Sequence, residues 1–169
     1  NPFDLLNKTF GGSGCDVAVA QTQKAILYSL NQNDPSIEAI DFNPPFTDQM
    51  YFVHLNQKQN SQKEVVAYHK RPQPSQKLID QISRLTKDLS SETSLSSFEE
   101  LLTKHEKLVG SLIGQQPIQE RLFSDFDGRI KSLGAWGGDF ILGTRKSSLT
   151  YFKDKGYPTI IPYSRMIAS

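Results

Sequence analysis

A chain of 169 residues, 37% hydrophobic and 22% charged, holds enough apolar material for one domain core, or for one domain and a piece of another. That balance excludes a disordered tail and a membrane-embedded protein. Lys and Arg number 19 and Asp and Glu 18, mixed along the chain to a net charge of +1. This excludes the clustered basic footprint of a nucleic-acid partner.

The chain begins at Asn1 rather than Met, which reads as an excised or processed piece. Phe3, Leu5, Leu6 and Phe10 suggest the tail of a helix. Gly11-Gly12-Ser13-Gly14-Cys15-Asp16 then breaks it, and Val17-Ala18-Val19-Ala20 can open a short helix that Ser13 or Asp16 would cap. A carboxylate there is favoured as the anion. Cys15 is the single cysteine, so no internal disulfide forms, and a reducing, cytoplasmic setting fits. None of His54, His69 and His105 lies near Cys15 in sequence, so it reads as a packing residue rather than a nucleophile.

Residues 25–30 and 37–42 read as strands around a turn at 31–35, and Pro44-Pro45 ends the second. Residues 50–55, Met-Tyr-Phe-Val-His-Leu, are apolar almost throughout and predict a strand buried on both faces. After a polar loop at 56–60, Ser61 with Glu64 has capping-box spacing and opens a helix through Val65, Val66 and Tyr68 that stops before Pro72. His54 and His69 are ordinary strand and helix residues here. No further ligands stand at metal-binding spacing, so no metal site is expected.

Leu78, Ile79, Ile82, Leu85 and Leu89 mark one face of a helix over 75–89. A serine-rich connection follows. Ser96 with Glu99 suggests another capping box, and Phe98, Leu101, Leu102, His105, Leu108, Val109 and Leu112 form an apolar stripe that stops near Gly114. His105 in that stripe reads as a core or interface residue. Glu99, Glu100, Lys104, Glu106 and Lys107 read as a solvated face. Pro117 opens a shorter helix through Leu122.

Ile130–Leu133 and Phe140–Leu142 flank a loop with Gly134, Gly137 and Gly138, which reads as two strands joined by a glycine-rich turn. Such a turn suits positive φ or the close approach of a ligand, and its free N–H groups can cradle an anion; a plain hairpin with a bulge also fits. Ser147 or Ser148 then caps a short helix ending at Gly156, and residues 159–162 make an edge strand. From residue 50 onward the order is β-α-β-β-α-β with extra helices in the first crossover. The fold class is α+β, a ferredoxin-like split βαβ sheet.

Three stretches, in order, resemble the GHMP small-molecule kinases (galactokinase, homoserine kinase, mevalonate kinase and phosphomevalonate kinase). Gly12-Ser13-Gly14-Cys15-Asp16 resembles their Ser-Gly-x-Asp segment. Asn56-Gln57-Lys58-Gln59-Asn60-Ser61 resembles the mevalonate kinase loop Asn-Thr-x-x-x-Arg-Asn-Thr, shortened. Lys131-Ser132-Leu133-Gly134-Ala135-Trp136-Gly137-Gly138 resembles the third motif, Lys-x-x-Gly-Ala-Gly-Gly-Gly. Gly14-Cys15-Asp16-Val17-Ala18 is similar to a Gly-Tyr-Asp-Ile-Ala run in a bacterial subgroup, which inclines the substrate toward mevalonate or phosphomevalonate.

The resemblance implies a C-terminal portion of an ATP-dependent kinase acting on a substrate hydroxyl, with residues 1–45 a remnant of the N-terminal domain and 46–169 the C-terminal-type domain. It implies Asp16 as the catalytic carboxylate. Ser13, Lys58, Ser61, Gly134, Ala135, Gly137 and Gly138 would bind substrate or phosphate. ATP and Mg²⁺ would serve the complete protein, and neither would bind this portion tightly. The family's Gly-Leu-Gly-Ser-Ser phosphate loop is absent and is expected upstream of Asn1. Trp136 replaces a motif glycine and Asp139 a small residue, so a non-catalytic small-molecule-binding or dimerisation module is the alternative. A small-molecule substrate is the expected partner, with no nucleic acid and no membrane, and homodimerisation stays open.

Overall fold

The strand expected from the run Met-Tyr-Phe-Val-His-Leu is β3, Tyr51–His54, with Tyr51, Phe52 and Val53 all buried. An apolar run with no polar alternation can only be stable when both faces are covered. The computed structural model describes residues 3, 12–31, 34–57, 68, 70–134, 136, 138–145 and 149–167. They fall into two compact units, Asn1–Asn43 and Pro44–Ser169.

The first unit holds helix α1 (Cys15–Thr22) and an antiparallel hairpin of β1 (Ala25–Asn31) and β2 (Asp34–Ile40). Strand β2 starts at Asp34, earlier than the expected 37. Pro35 is tolerated because each strand of a two-stranded ribbon has a free edge, where a missing N–H costs little.

The second unit contains β3, helices α2 (Gln76–Ser91), α3 (Leu95–Ile113) and α4 (Ile118–Leu122), the hairpin β4 (Ile130–Ser132) and β5 (Phe140–Gly143), helix α5 (Leu149–Asp154), strand β6 (Ile160–Pro162) and helix α6 (Tyr163–Met166). The sheet order is β4-β5-β3-β6, antiparallel throughout. This is the split β-α-β-β-α-β arrangement, with α2, α3 and α4 filling the first crossover. Tyr51, Val53, Leu55, Ile130 and Ile141 meet Ile118, Phe123, Phe126 and Phe152 in the core. Phe123, Phe126 and Phe152 pack with ring centroids 5.0–5.2 Å apart, tilted or edge-on. On the other face of β3, Phe52 stacks on Tyr163 at 5.9 Å. The expected helix opened by Ser61 and Glu64 lies outside the described residues, except at Tyr68.

Two expectations on α3 fail. The cap is Ser94, whose hydroxyl accepts from Ser97 N at 3.5 Å, so Ser96 and Glu99 form no capping box. Nor do all five acidic and basic residues make a solvated face, since Glu99 is 5% and Glu106 3% exposed. Buried residues on α3 include Phe98, Leu102, Glu106 and Gly110, one stripe at four-residue spacing, with Glu99 beside it. Glu99 accepts from Thr144 Oγ1 at 2.6 Å and from Arg145 Nε and Nη2 at 3.0 and 2.9 Å. Burial pushes its carboxyl up, but the hydrogen bonds from Arg145 and Thr144, with Arg145's charge, outweigh that and hold it below the usual range. The start of α3 is thereby tied to the end of β5.

Candidate functional site

In the first unit, Gly14 is left-handed (φ 81°) and hands the chain into α1. Ser13 Oγ accepts from Cys15 N at 3.3 Å, and the Tyr28 hydroxyl donates to the Ser13 carbonyl, so β1 holds the loop from below. Asp16 is the second residue of α1. Its side chain is exposed and makes no hydrogen bond or ion pair with any described residue. It is therefore free of the capping duty that a carboxylate after glycines usually has. Burial and the neighbouring Asp16 charge raise the Cys15 thiol, the wrong direction for a nucleophile.

In the second unit, β4 and β5 pair from Ile130↔Gly143 to Ser132↔Ile141, and the glycine turn joins them. Gly134 takes φ 60°, with nothing within 4 Å of where a side chain would begin. The space beside its Cα is open to an approaching group. Gly138 is buried, Asp139 is exposed, and the Asp139 carbonyl accepts from Leu55 N at 2.8 Å, which ties the turn to β3. Lys58, Ser61, Ala135 and Gly137 lie outside the described residues. Ser13 and Asp16 thus stand in one unit, Gly134 and Gly138 in the other.

The turn is braced by side chains that the sequence reading did not select. Strand β4 is a sheet edge, and its outward N–H groups would be unpaired. Gln119 Oε1 accepts from Ile130 N, and Glu106 Oε2 from Ser132 N, each at 3.0 Å. Lys131 Nζ sits 3.2 Å from Glu106 Oε1 and 3.4 Å from His105 Nδ1. Helices α3 and α4 therefore cap the edge and fix the strand that leads into the turn. The four-residue spacing of Phe98, Leu102, Glu106 and Gly110 was the available signal for Glu106.

His105 is held neutral. Burial, and then the Lys131 charge, lower its pKa to about 4. The unfolded histidine takes up a proton near 6.5, so stability falls as pH drops from 6.5 toward 4. His105→Gln should flatten that part of the pH–stability curve, read from urea midpoints at successive pH values. An unchanged slope would remove His105 as its source.

Among the described residues of the turn, Trp136, not a glycine, is also left-handed (φ 55°). It is 8% exposed, and its indole N–H has no partner among the described residues. The ring lies over Gly110, where a Cβ would come within 3.0 Å of Trp136 Cη2. An ordinary buried Trp loses about 3–5 kcal/mol on truncation. Here Trp136→Gly also relieves about 1–2 kcal/mol of left-handed strain and an orphaned donor worth about 1–3. The expected net loss is about 1 kcal/mol or less, measurable by urea denaturation. A loss above roughly 3 would show that the indole is a plain core side chain.

Among the described residues, no three His, Cys, Asp or Glu side chains cluster so as to hold a metal ion, and no helix is long and apolar enough to cross a membrane. No protein-family model matches the chain, and no curated protein matches it in sequence. Solved structures do. The structure of L. major mevalonate kinase in complex with R-mevalonate superposes with a TM-score of 0.66 at 18% identity, over 91% of this chain and 53% of that one. The fold is GHMP-kinase-like. A Lin0012 protein from Listeria innocua superposes with a TM-score of 0.55 at 14% identity, over 76% of this chain and 41% of that one. The chain spans about half the length of the mevalonate kinase it matches. At such identities the likeness is one of fold, and the α+β expectation is met by it.

Proposed function

We propose that this chain is the C-terminal portion of an ATP-dependent small-molecule kinase that phosphorylates a substrate hydroxyl, with mevalonate or phosphomevalonate as the substrate class. The observation that carries this reading is the mevalonate kinase likeness over 91% of the chain, along which the three GHMP-like motifs stand in order. The substrate class rests on analogy with that neighbour and on the Gly14–Ala18 run.

Phosphoryl transfer asks a protein for positioning and charge stabilisation. Asp16, exposed and with no hydrogen bond or ion pair among the described residues, would take or orient the hydroxyl proton. Ser13, Gly134, Ala135, Gly137 and Gly138 would bind substrate or phosphate. Lys58 and Ser61 would meet the anionic end of the substrate. ATP supplies the phosphoryl group, and Mg²⁺ would be held mainly by its phosphates.

The test is phosphoryl transfer from ATP to mevalonate, phosphomevalonate, homoserine and galactose by the complete protein, with this 169-residue chain as control. Turnover is expected from the complete protein and none from the chain alone. Absence of turnover with all four acceptors would favour the second reading, a non-catalytic binding or dimerisation module. The bulk of Trp136 in the glycine turn is the observation behind that alternative.

A further inference from the structure

Helix α2 carries an apolar stripe that its own fold leaves half uncovered. Of Leu78, Ile79, Ile82, Leu85 and Leu89, only Leu89 is buried, and Ile79 is 41% exposed. A helix with so sharp a division of faces is normally stable because a neighbour covers the stripe. Helix α3 covers only part of it. Between the two helices runs a groove of about 410 Å³ lined by Gln81, Arg84, Leu85, Lys104, Lys107 and Leu108.

The floor of that groove is leucine and its rim is cationic. Arg84, Lys104 and Lys107 form no ion pair with any described residue. Asp80 and Asp88 flank Arg84 at four-residue spacing and Glu100 precedes Lys104 by four, yet none of them closes a bridge. The two acids of α3 nearest the sheet are already taken, Glu99 by Arg145 and Glu106 by Lys131. Three free cations around an apolar floor complement a surface that is apolar in the middle and acidic at its borders.

We propose that the α2–α3 groove is a docking site for an acidic amphipathic helix of a partner protein. Apolar side chains at helical spacing would seat on Leu85 and Leu108, and flanking carboxylates would face Arg84, Lys104 and Lys107. A second copy of the chain fits less well. A two-fold contact places the same patch on both sides, and each rim would meet its own cations. The groove would serve in this way whether or not the protein transfers phosphate.

The test is fluorescence anisotropy of the full chain with a labelled synthetic helical peptide, leucines on one face and glutamates beside them. A lysine-for-glutamate version and a scrambled version serve as controls. The acidic peptide is expected to bind, more weakly at higher salt, and the lysine version is not. The combined Arg84→Glu, Lys104→Glu and Lys107→Glu variant should weaken binding at least about tenfold. Should that variant fail to fold by circular dichroism, the milder Lys104→Gln, Lys107→Gln variant should still weaken it severalfold. Equal binding of acidic and lysine peptides, no binding of either, or no effect of the charge variants would overturn the proposal. So would self-association in sedimentation that the charge variants abolish, which would assign the groove to a second copy. Equal loss of binding to vesicles of anionic lipid would assign it to a membrane surface and overturn the proposal too.

Discussion

Replacing Asp16 by asparagine in the complete protein is expected to lower kcat by about 10²–10⁴-fold, the usual worth of a positioned general base. The substitution keeps the size and shape of the side chain and removes its negative charge and with it its capacity to accept a proton. The fold should not notice it. Asp16 is exposed and makes no hydrogen bond or ion pair with a described residue; the N-cap of α1 is Gly14, with no side-chain cap, so neither Asp16 nor Ser13 fills the expected capping role. The favourable field of a helix N-terminus on a carboxylate is worth a few tenths to about 1 kcal/mol, so the melting temperature should shift little. Steady-state kinetics beside a thermal melt separate the two effects. Unaltered kcat would reduce Asp16 to a residue of the first helical turn, and the kinase reading would lose its base.

Glu106→Ala should cost the second unit roughly 3 kcal/mol, the lower end of what removing one partner of a buried pair costs. Two groups are stranded at once. Ser132 N loses the acceptor 3.0 Å away, and Lys131 loses the carboxylate 3.2 Å away while only 24% of its side chain reaches solvent. Glu106→Gln should cost less, since an amide oxygen still accepts from Ser132 N. A Glu106→Leu, Lys131→Met double variant should recover part of the loss, because an apolar pair of similar volume strands no charge, although Ser132 N stays unpaired. Urea midpoints at constant slope provide the measure. If Glu106→Ala matches a surface substitution, within about 0.5 kcal/mol, the edge of β4 is held by something other than this carboxylate.

Much of the α+β order was legible along the chain because it depends on short-range patterns. The continuous apolar run at β3 demanded two covered faces. Leu78 through Leu89 repeated at helical spacing, and Gly114 ends α3 with φ 60°, while Ser75, inside the expected helix, is instead the cap of α2 and accepts from Leu78 N. The paired runs either side of the glycines became β4 and β5. Boundaries were less secure where local preference was weak, as at β2.

What local pattern could not decide was which charges would be buried. Glu99 and Glu106 look like any solvated acids when only neighbours in sequence are weighed. Their burial follows from partners 46 and 25 residues away, Arg145 and Lys131, and from an edge strand whose N–H groups lacked acceptors. The same holds for Trp136, a buried ring that lies over Gly110 of α3, 26 residues away. The sequence by itself determined the order of elements and the glycine turn, because hydrophobic period and turn chemistry act within a few residues. Tertiary structure alone decided the buried ion pairs, the capped edge and the half-covered face of α2, because desolvation depends on what arrives from elsewhere in the chain.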